Sequence, residues 1–285
     1  MLKILRLEQW AKNLVIFIPP VLAKNYEVFW DSSIYFVFLA FSIIVSSTYI
    51  FNDLIDLEQD KIHPQKKRRP LASGDLSKKS AITLAICLNF VGFILIFLLD
   101  KNILIFVLAY VVITMSYSVK LKYIKYFDFI SITILFTVRL LVGAVTTETA
   151  LSSFFLVFVL LFLTLISIGK KLSIYKSSEI LDSSRVKVHL KESYSDNELE
   201  NILKLTFVLS NITFLLWSYE RIFNNRLNFM FSLLALLLIG YLGIKFIKDS
   251  KLSKTENFIS WILVSKMYFV SLTITSIVLF ITFNL

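Results

Sequence analysis

Apolar residues fall into nine blocks separated by short polar stretches. The blocks cover about 13–30, 33–51, 80–99, 102–117, 127–147, 151–169, 201–219, 228–246 and 259–283. Each is long enough, or nearly so, to cross the hydrocarbon of a bilayer. A peptide group in lipid must find its hydrogen bond within its own segment, so such blocks predict helices. Only six glycines and four prolines occur in 285 residues, which leaves most blocks uninterrupted. The first is the exception, broken by Pro19, Pro20, Lys24 and Asn25, and the fourth is short. The pattern predicts an all-α fold: a polytopic membrane helix bundle of about nine transmembrane helices. It forms a single transmembrane domain over residues 1–285, with loops at 52–79, 118–126 and 170–200.

Composition agrees. Apolar residues make up 57% of the chain and the mean hydropathy is +0.76, well beyond a soluble domain of this length. The net charge of +10 matters through its placement. Lysine and arginine gather on alternate connections: the N-terminal stretch, 52–79, 118–126, 170–200 and the turn after the eighth block. The opposite side holds only Lys24, Lys101, Arg221 and Arg226. Cationic loops stay cytoplasmic, so the expected topology has a cytoplasmic N-terminus, an odd number of spans and an external C-terminus. The bases sit at span ends, where the expected partner is the lipid bilayer and not nucleic acid. A homo-oligomer stays open. The lone Cys87 excludes an intrachain disulfide, and no cleavable signal peptide precedes Pro19.

The densest chemistry closes the second block. Asn52, Asp53, Asp56 and Asp60 stand at its end, and in a continuous helix positions 53, 56 and 60 share one face. Three carboxylates on one face repel unless a cation lies between them. Magnesium held by a few carboxylates and a substrate phosphate is a common form of such a site. Asp53, Asp56 and Asp60 are therefore the candidate metal ligands, and the alternative is a hydrated acidic helix end. The bases that follow (Lys61, His63, Lys66, Lys67, Arg68 and Arg69) could hold phosphate oxygens or anchor on anionic lipid. Tyr117, Lys120, Lys122 and Asp128 form a second group on the next loop, where the lysines could reach a phosphate or merely snorkel. Arg139 lies twelve residues into a span, where an unpaired charge is expensive; it calls for an inward orientation and an anionic partner, a carboxylate or a lipid-borne phosphate. Gly143, one turn on, would allow close helix approach. Arg6, Gln9, Trp10, Lys12 and Asn13 form an interfacial anchor or a grip on a phosphate head group. Nucleophilic triads, zinc spacings and glycine-rich phosphate loops are absent.

These residues resemble the UbiA superfamily of intramembrane prenyltransferases. The run N-D-x-x-D-x-x-x-D at 52–60, followed by a basic H-P-x-K-x-R-P loop, is similar to that family's first acidic motif. Within the superfamily the chain is most similar to the decaprenyl-phosphate phosphoribosyltransferase branch. The shared features are R-x-x-Q-W-x-K-N (Arg6, Gln9, Trp10, Lys12, Asn13), Y-S-x-x-L-K (Tyr117, Ser118, Leu121, Lys122) with Asp128, and R-x-x-x-G (Arg139, Gly143). Gly169, Lys170 and Lys171 stand where the branch has G-K-R. A second acidic position, usual in the family, is Ile174 here.

The resemblance implies a nine-span helical bundle with a polar cavity at its cytoplasmic end, in the cytoplasmic membrane of a prokaryote. It implies Mg2+ on the first acidic motif. The substrates it implies are phosphoribosyl diphosphate and a polyprenyl phosphate, in envelope biosynthesis. Asp53, Asp56, Asp60 and Arg139 then carry catalysis. Asn52, Lys12, Lys61, His63, Lys67, Arg68, Tyr117, Lys120, Lys122, Asp128, Lys170 and Lys171 bind substrate. Two other functions stay open: an aromatic polyprenyltransferase that alkylates a quinone-precursor ring with a prenyl diphosphate, and a non-catalytic lipid-binding or transport protein.

Overall fold

The computed structural model describes residues 2–62, 66–178, 193–222 and 226–255, with short stretches between 261 and 278. Regular structure among the described residues is entirely helical. The principal helices are α1 (Ser33–Ile55), α2 (Leu57–Ile62), α3 (Lys78–Leu99), α4 (Leu104–Val119), α5 (Phe127–Thr146), α6 (Ser153–Ser178), α7 (Asp196–Ile222) and α8 (Arg226–Lys251). All but α2 are part of segments long and apolar enough to span a bilayer, seven among the described residues, and the protein is an integral membrane protein. The chain forms two compact units, Met1–Ala150 and Leu151–Leu285.

In the first unit, α1 and α5 are the inner helices. Ile34, Val37, Phe41, Ile44 and Val45 of α1 pack with Val107 and Tyr110 of α4 and with Leu135, Val138 and Val142 of α5. By contrast α3 and α4 present Ile86, Phe90, Phe97, Leu98 and Ile105 outward, a surface suited to lipid. The first predicted span is not one helix. Residues Leu7–Phe17 form a 3₁₀ arm, followed by a helical turn at Ile18–Leu22 and a second 3₁₀ segment at Tyr26–Trp30. Pro19 and Pro20 lack the N–H groups needed to continue an upstream helix, so they begin a new one. The arm lies along the buried Ser42 and Ser46 of α1.

The 52–79 connection is largely helical. It contains α2, a 3₁₀ turn at Lys66–Arg68 and a helical turn at Pro70–Ser73. Gly74 then turns the chain with φ +88°, a conformation that only glycine adopts freely. Ser77 caps α3 by accepting from the Ser80 N–H at 3.1 Å.

In the second unit, α6 packs on α7 around Phe155, Phe158, Phe214 and Trp217. The predicted loop at 170–200 is shorter than expected. Helix α6 runs on to Ser178 and α7 starts at Asp196, so Lys170 and Lys171 lie on a helix. The helix start read at 195–200 is present, with Ser195 Oγ accepting from the Glu198 N–H at 3.2 Å. Most of the ninth predicted span, Lys266 included, lies outside the described residues.

Gly143 tests the close packing of the first unit. A Cβ there would sit 2.0 Å from the Ile16 carbonyl oxygen, a main-chain atom that cannot swing aside. Gly143→Val is expected to destabilise the protein by about 1–3 kcal/mol, seen as a lower melting temperature in detergent. Gly240→Ala, whose new atom would meet nothing nearer than Asn211 Oδ1 at 3.9 Å, should leave it unchanged.

Candidate active site

Helix α1 stops at Ile55 and Asp56 takes its C-cap, with its N–H donating to the Asn52 carbonyl at 2.9 Å. α2 starts at the next residue, so the single face expected for positions 53, 56 and 60 is bent at 56. The bend sorts the aspartates. Asp53 Oδ1 and Asp60 Oδ2 share one nitrogen, Arg69 Nη1, at 3.1 and 2.5 Å. Asp53 Oδ1 also accepts from Arg6. Asp56 points elsewhere, to Lys122 and to Asn52 Nδ2 at 3.0 Å. Among the described residues no three His, Cys, Asp or Glu side chains converge. The expected three-carboxylate cluster is thus a pair plus a neighbour.

Asp53 and Asp60 are 3% and 1% exposed, which makes their charge balance decisive. Asp60 Oδ1 is buried without a hydrogen bond among the described residues, and Lys66 Nζ lies 3.8 Å from it. A free carboxylate oxygen beside a cation already shared by two aspartates fits a hard divalent ion, which takes oxygen ligands at about 2.1 Å. Asp53 and Asp60 are the residues that could hold it.

Each base arrives from a different element. Arg69 precedes Pro70, which holds it extended at φ −69°, ψ 144°. Lys122 comes from the 3₁₀ turn between α4 and α5 and also lies over the Tyr123 ring at 5.1 Å. Arg6 comes from the start of the arm in a left-handed conformation, φ 49°, ψ 52°, and lies over the Tyr49 ring at 5.2 Å. Two contacts of α1 hold the arm beside it: Trp10 Nε1 donates to Ser46 Oγ at 2.9 Å, and Ser46 Oγ donates to the Leu5 carbonyl at 2.8 Å.

Arg139 differs from expectation. It is 3% exposed and forms no ion pair with a carboxylate among the described residues. Its Nε donates to Asn13 Oδ1 at 2.9 Å, Nη1 to the Leu135 carbonyl at 2.8 Å and Nη2 to the Tyr110 hydroxyl at 2.8 Å. The Tyr110 and Phe136 rings face it at 4.8 and 4.9 Å. Neutral oxygens and aromatic faces therefore replace the anion. Lys12 is accessible to solvent and forms no ion pair among the described residues. Its pKa lies below the usual lysine range, chiefly through the protein packed around it and then through the Arg139 and Arg6 cations.

The remaining candidates are scattered. Lys61 pairs with Glu58 at 2.9 Å, outside the aspartate group. Lys67, Arg68 and Lys120 are exposed, Tyr117 is part of α4, and Asp128 opens α5 by accepting from the Phe129 N–H at 2.8 Å. Lys170 and Lys171 belong to the second unit, where Lys171 Nζ lies 4.4 Å from the Tyr194 ring centroid. His63 lies outside the described residues. Sequence reasoning singled out Lys67 and Arg68 from the basic run, whereas Lys66 and Arg69 make the contacts. The signal for Arg69 was available in the proline that follows it.

The profile of the UbiA prenyltransferase family matches residues 14–184. An uncharacterised protein, y4nM, of Sinorhizobium fredii is 34% identical over 59% of the chain, which spans only a third (33%) of that relative's length. The decaprenyl-phosphate phosphoribosyltransferase of Mycolicibacterium smegmatis is 26% identical over 78% of this chain and 70% of its own. Its Mycobacterium tuberculosis counterpart is 26% identical over 77% and 74%. Among solved structures, one of digeranylgeranylglyceryl phosphate synthase covers 100% of this chain and 98% of its own at a TM-score of 0.71 and 18% identity. A UbiA homolog from Archaeoglobus fulgidus bound to GPP and Mg2+ covers 100% and 99% at a TM-score of 0.63 and 15% identity. A buried aspartate pair at the end of a membrane helix, a helical fold shared with these structures and a family match over more than half the chain converge: the protein belongs to the UbiA prenyltransferase family and is an intramembrane transferase.

Proposed function

We propose that the protein transfers a phosphoribosyl group from phosphoribosyl diphosphate to a polyprenyl phosphate, with Mg2+ as cofactor and the aspartates on the cytoplasmic side. The observation that carries the proposal is the buried Asp53–Arg69–Asp60 bridge with its free Asp60 oxygen. The choice of donor and acceptor is supported by the relatives at 26% identity.

In this reading Asp53 and Asp60 hold the cation. When bound, it supplies charge neutralisation to the leaving diphosphate. Arg6, Lys66, Arg69 and Lys122 exchange their aspartate oxygens for diphosphate oxygens. Asn52 keeps Asp56 oriented through its 3.0 Å hydrogen bond. The bond between the anomeric carbon and the diphosphate oxygen breaks, and the diphosphate keeps the electron pair. A lipid phosphate oxygen then forms the new bond to that carbon. The acceptor is already an anion, so no base need remove a proton. Lys12, which forms no ion pair among the described residues, is assigned to the acceptor phosphate.

The direct test is a membrane assay with labelled phosphoribosyl diphosphate and polyprenyl phosphate. Magnesium-dependent passage of label into lipid supports the proposal. Label passing from a prenyl diphosphate into an aromatic ring would replace it with the other transferase reaction. Magnesium-dependent diphosphate binding with no transfer would leave a binding protein.

Two further outcomes are expected. Asp53→Asn and Asp60→Asn should each lower turnover by about a hundredfold or more while the protein still elutes as a folded species in detergent. The second concerns binding. Four bases already neutralise the three aspartates, so Mn2+ alone should bind weakly, and pyrophosphate should tighten it by drawing the bases away. Arg69→Gln should strengthen binding of Mn2+ alone and weaken the gain from pyrophosphate, as read by paramagnetic resonance of free Mn2+. A gain equal to that of the unaltered protein would show that Arg69 does not make the exchange.

A further inference from the structure

Arg139 and Asn13 are the buried polar pair for which the proposed reaction has no use. Arg139 has three neutral acceptors and almost no exposure, so a phosphate cannot reach it without displacing one of them. Asn13 is fully buried and joins two helices. Its Oδ1 accepts from Arg139 of α5, and its Nδ2 donates to Ser42 Oγ of α1 at 2.9 Å. Every polar atom of the Asn13 side chain thus helps to fasten the arm. Gly143, one turn from Arg139, lets the Ile16 backbone lie directly on α5. Farther along, Ser46 holds Trp10 and the Leu5 carbonyl. The fastened arm then ends in Arg6, whose left-handed backbone delivers its guanidinium to Asp53. A strained backbone at a functional side chain persists only where its surroundings over-determine it.

We infer that Arg139 is a positioning residue: through Asn13 it seats the N-terminal arm so that Arg6 reaches Asp53, and it does not itself hold a substrate phosphate. The inference rests on the proposed metal–diphosphate site for its purpose, but the seating of the arm stands on contacts independent of that site. A buried charge inside a membrane protein needs compensation, and here α5 obtains it by capturing a side chain of the arm. The 3₁₀ geometry of Leu7–Phe17 leaves its backbone hydrogen bonds poorer than those of an α-helix, so side-chain fastening has more to do there than elsewhere in the chain.

The experiment uses the full chain in detergent and reads two quantities: amide hydrogen exchange over residues 5–12, and the affinity for Mn2+ with pyrophosphate. Three variants separate the roles. Asn13→Leu removes both fastenings. It should speed exchange across the arm and weaken pyrophosphate binding by about tenfold or more. Arg6→Gln should weaken binding similarly without loosening the arm, and the double variant should be no worse than Asn13→Leu alone, because both act through one contact. Asn13→Asp is the discriminating change. It keeps an acceptor for Arg139, and Ser42 can donate to it in turn, so arm protection and pyrophosphate affinity should both be retained. If Asn13→Asp keeps the arm protected yet abolishes anion binding, Arg139 acts directly on the phosphate and the inference falls. Unchanged exchange in Asn13→Leu would also overturn it. Failure of the unaltered protein to bind Mn2+ and pyrophosphate would instead count against the proposed function, while the exchange contrast between Asn13→Leu and Asn13→Asp still decides whether Arg139 seats the arm through Asn13.

Discussion

Carboxylates at the end of a membrane helix cannot be left both buried and bare, and the organisation of the first unit follows from that. Asp53 and Asp60 are almost wholly shut away from water. Removing one partner from such a pair typically costs about 3–5 kcal/mol, because the other charge stays buried and uncompensated. Three bases meet the demand, Arg6 from the arm and Lys66 and Arg69 from the segment after α2, and Lys122 from the turn between α4 and α5 meets the neighbouring Asp56. Those elements are remote in sequence, so the acidic motif acts as the anchor on which they converge. The same balance governs ligand binding. A metal ion arriving alone would add charge to carboxylates already neutralised, whereas an ion with a diphosphate offers the displaced bases new partners. Metal and diphosphate are then coupled, each favouring the other's binding by the same factor.

A second constraint comes from the solvent. Lipid tails give helices no hydrophobic reason to associate, so small residues and interhelical hydrogen bonds take over. The buried stripe Ser42, Ser46, Ser47 and Thr48 on α1 serves that purpose. Ser42 and Ser46 fasten the arm, and Ser47 accepts from Asn89 of α3 at 2.6 Å. The arrangement explains why an inner helix with so high a mean hydropathy still carries a polar side. It also explains how Arg139 sits in the interior without a carboxylate: the groups that bind the helices together provide its acceptors.

Much of this was legible in the sequence, for identifiable reasons. The spans were legible because a bilayer imposes one length and one polarity on every helix that crosses it, and 33–51, 80–99 and 127–147 all lie within a few residues of helices in the structure. The acidic motif was legible because carboxylates are rare at such a boundary. The bend at Asp56 was not, because no proline or glycine marks it. The break within residues 13–30 was legible in Pro19 and Pro20, which control backbone hydrogen bonding, but the 3₁₀ form of the arm before them was not, because hydropathy registers only apolar content. Lys170 and Lys171 were assigned to a loop because lysines usually close a span, yet α6 continues past them to Ser178. Among the bases of the 61–69 run, composition could not tell Arg69 from Arg68. Only the backbone direction imposed by Pro70 separates a guanidinium aimed at Asp60 from one aimed at solvent.

Position 174 brings these points together. Where the family resemblance leads one to expect a second acidic group, α6 carries Ile174 beside Ser173, and Ser173 is committed to packing. Its Oγ accepts from the Thr255 N–H at 3.1 Å, and Thr255 Oγ1 donates back to the Gly169 carbonyl at 3.2 Å. That seam closes the second unit with hydroxyls and main-chain groups. A reaction whose acceptor is a neutral ring gains from strong ionisation of an allylic diphosphate, and a second acidic group with its own cation serves that need. A reaction whose acceptor is a phosphate brings its own negative charge and nucleophile. Under the proposed reaction, the Asp53–Asp60 pair, a set of exchangeable bases and Lys12 are assigned that work.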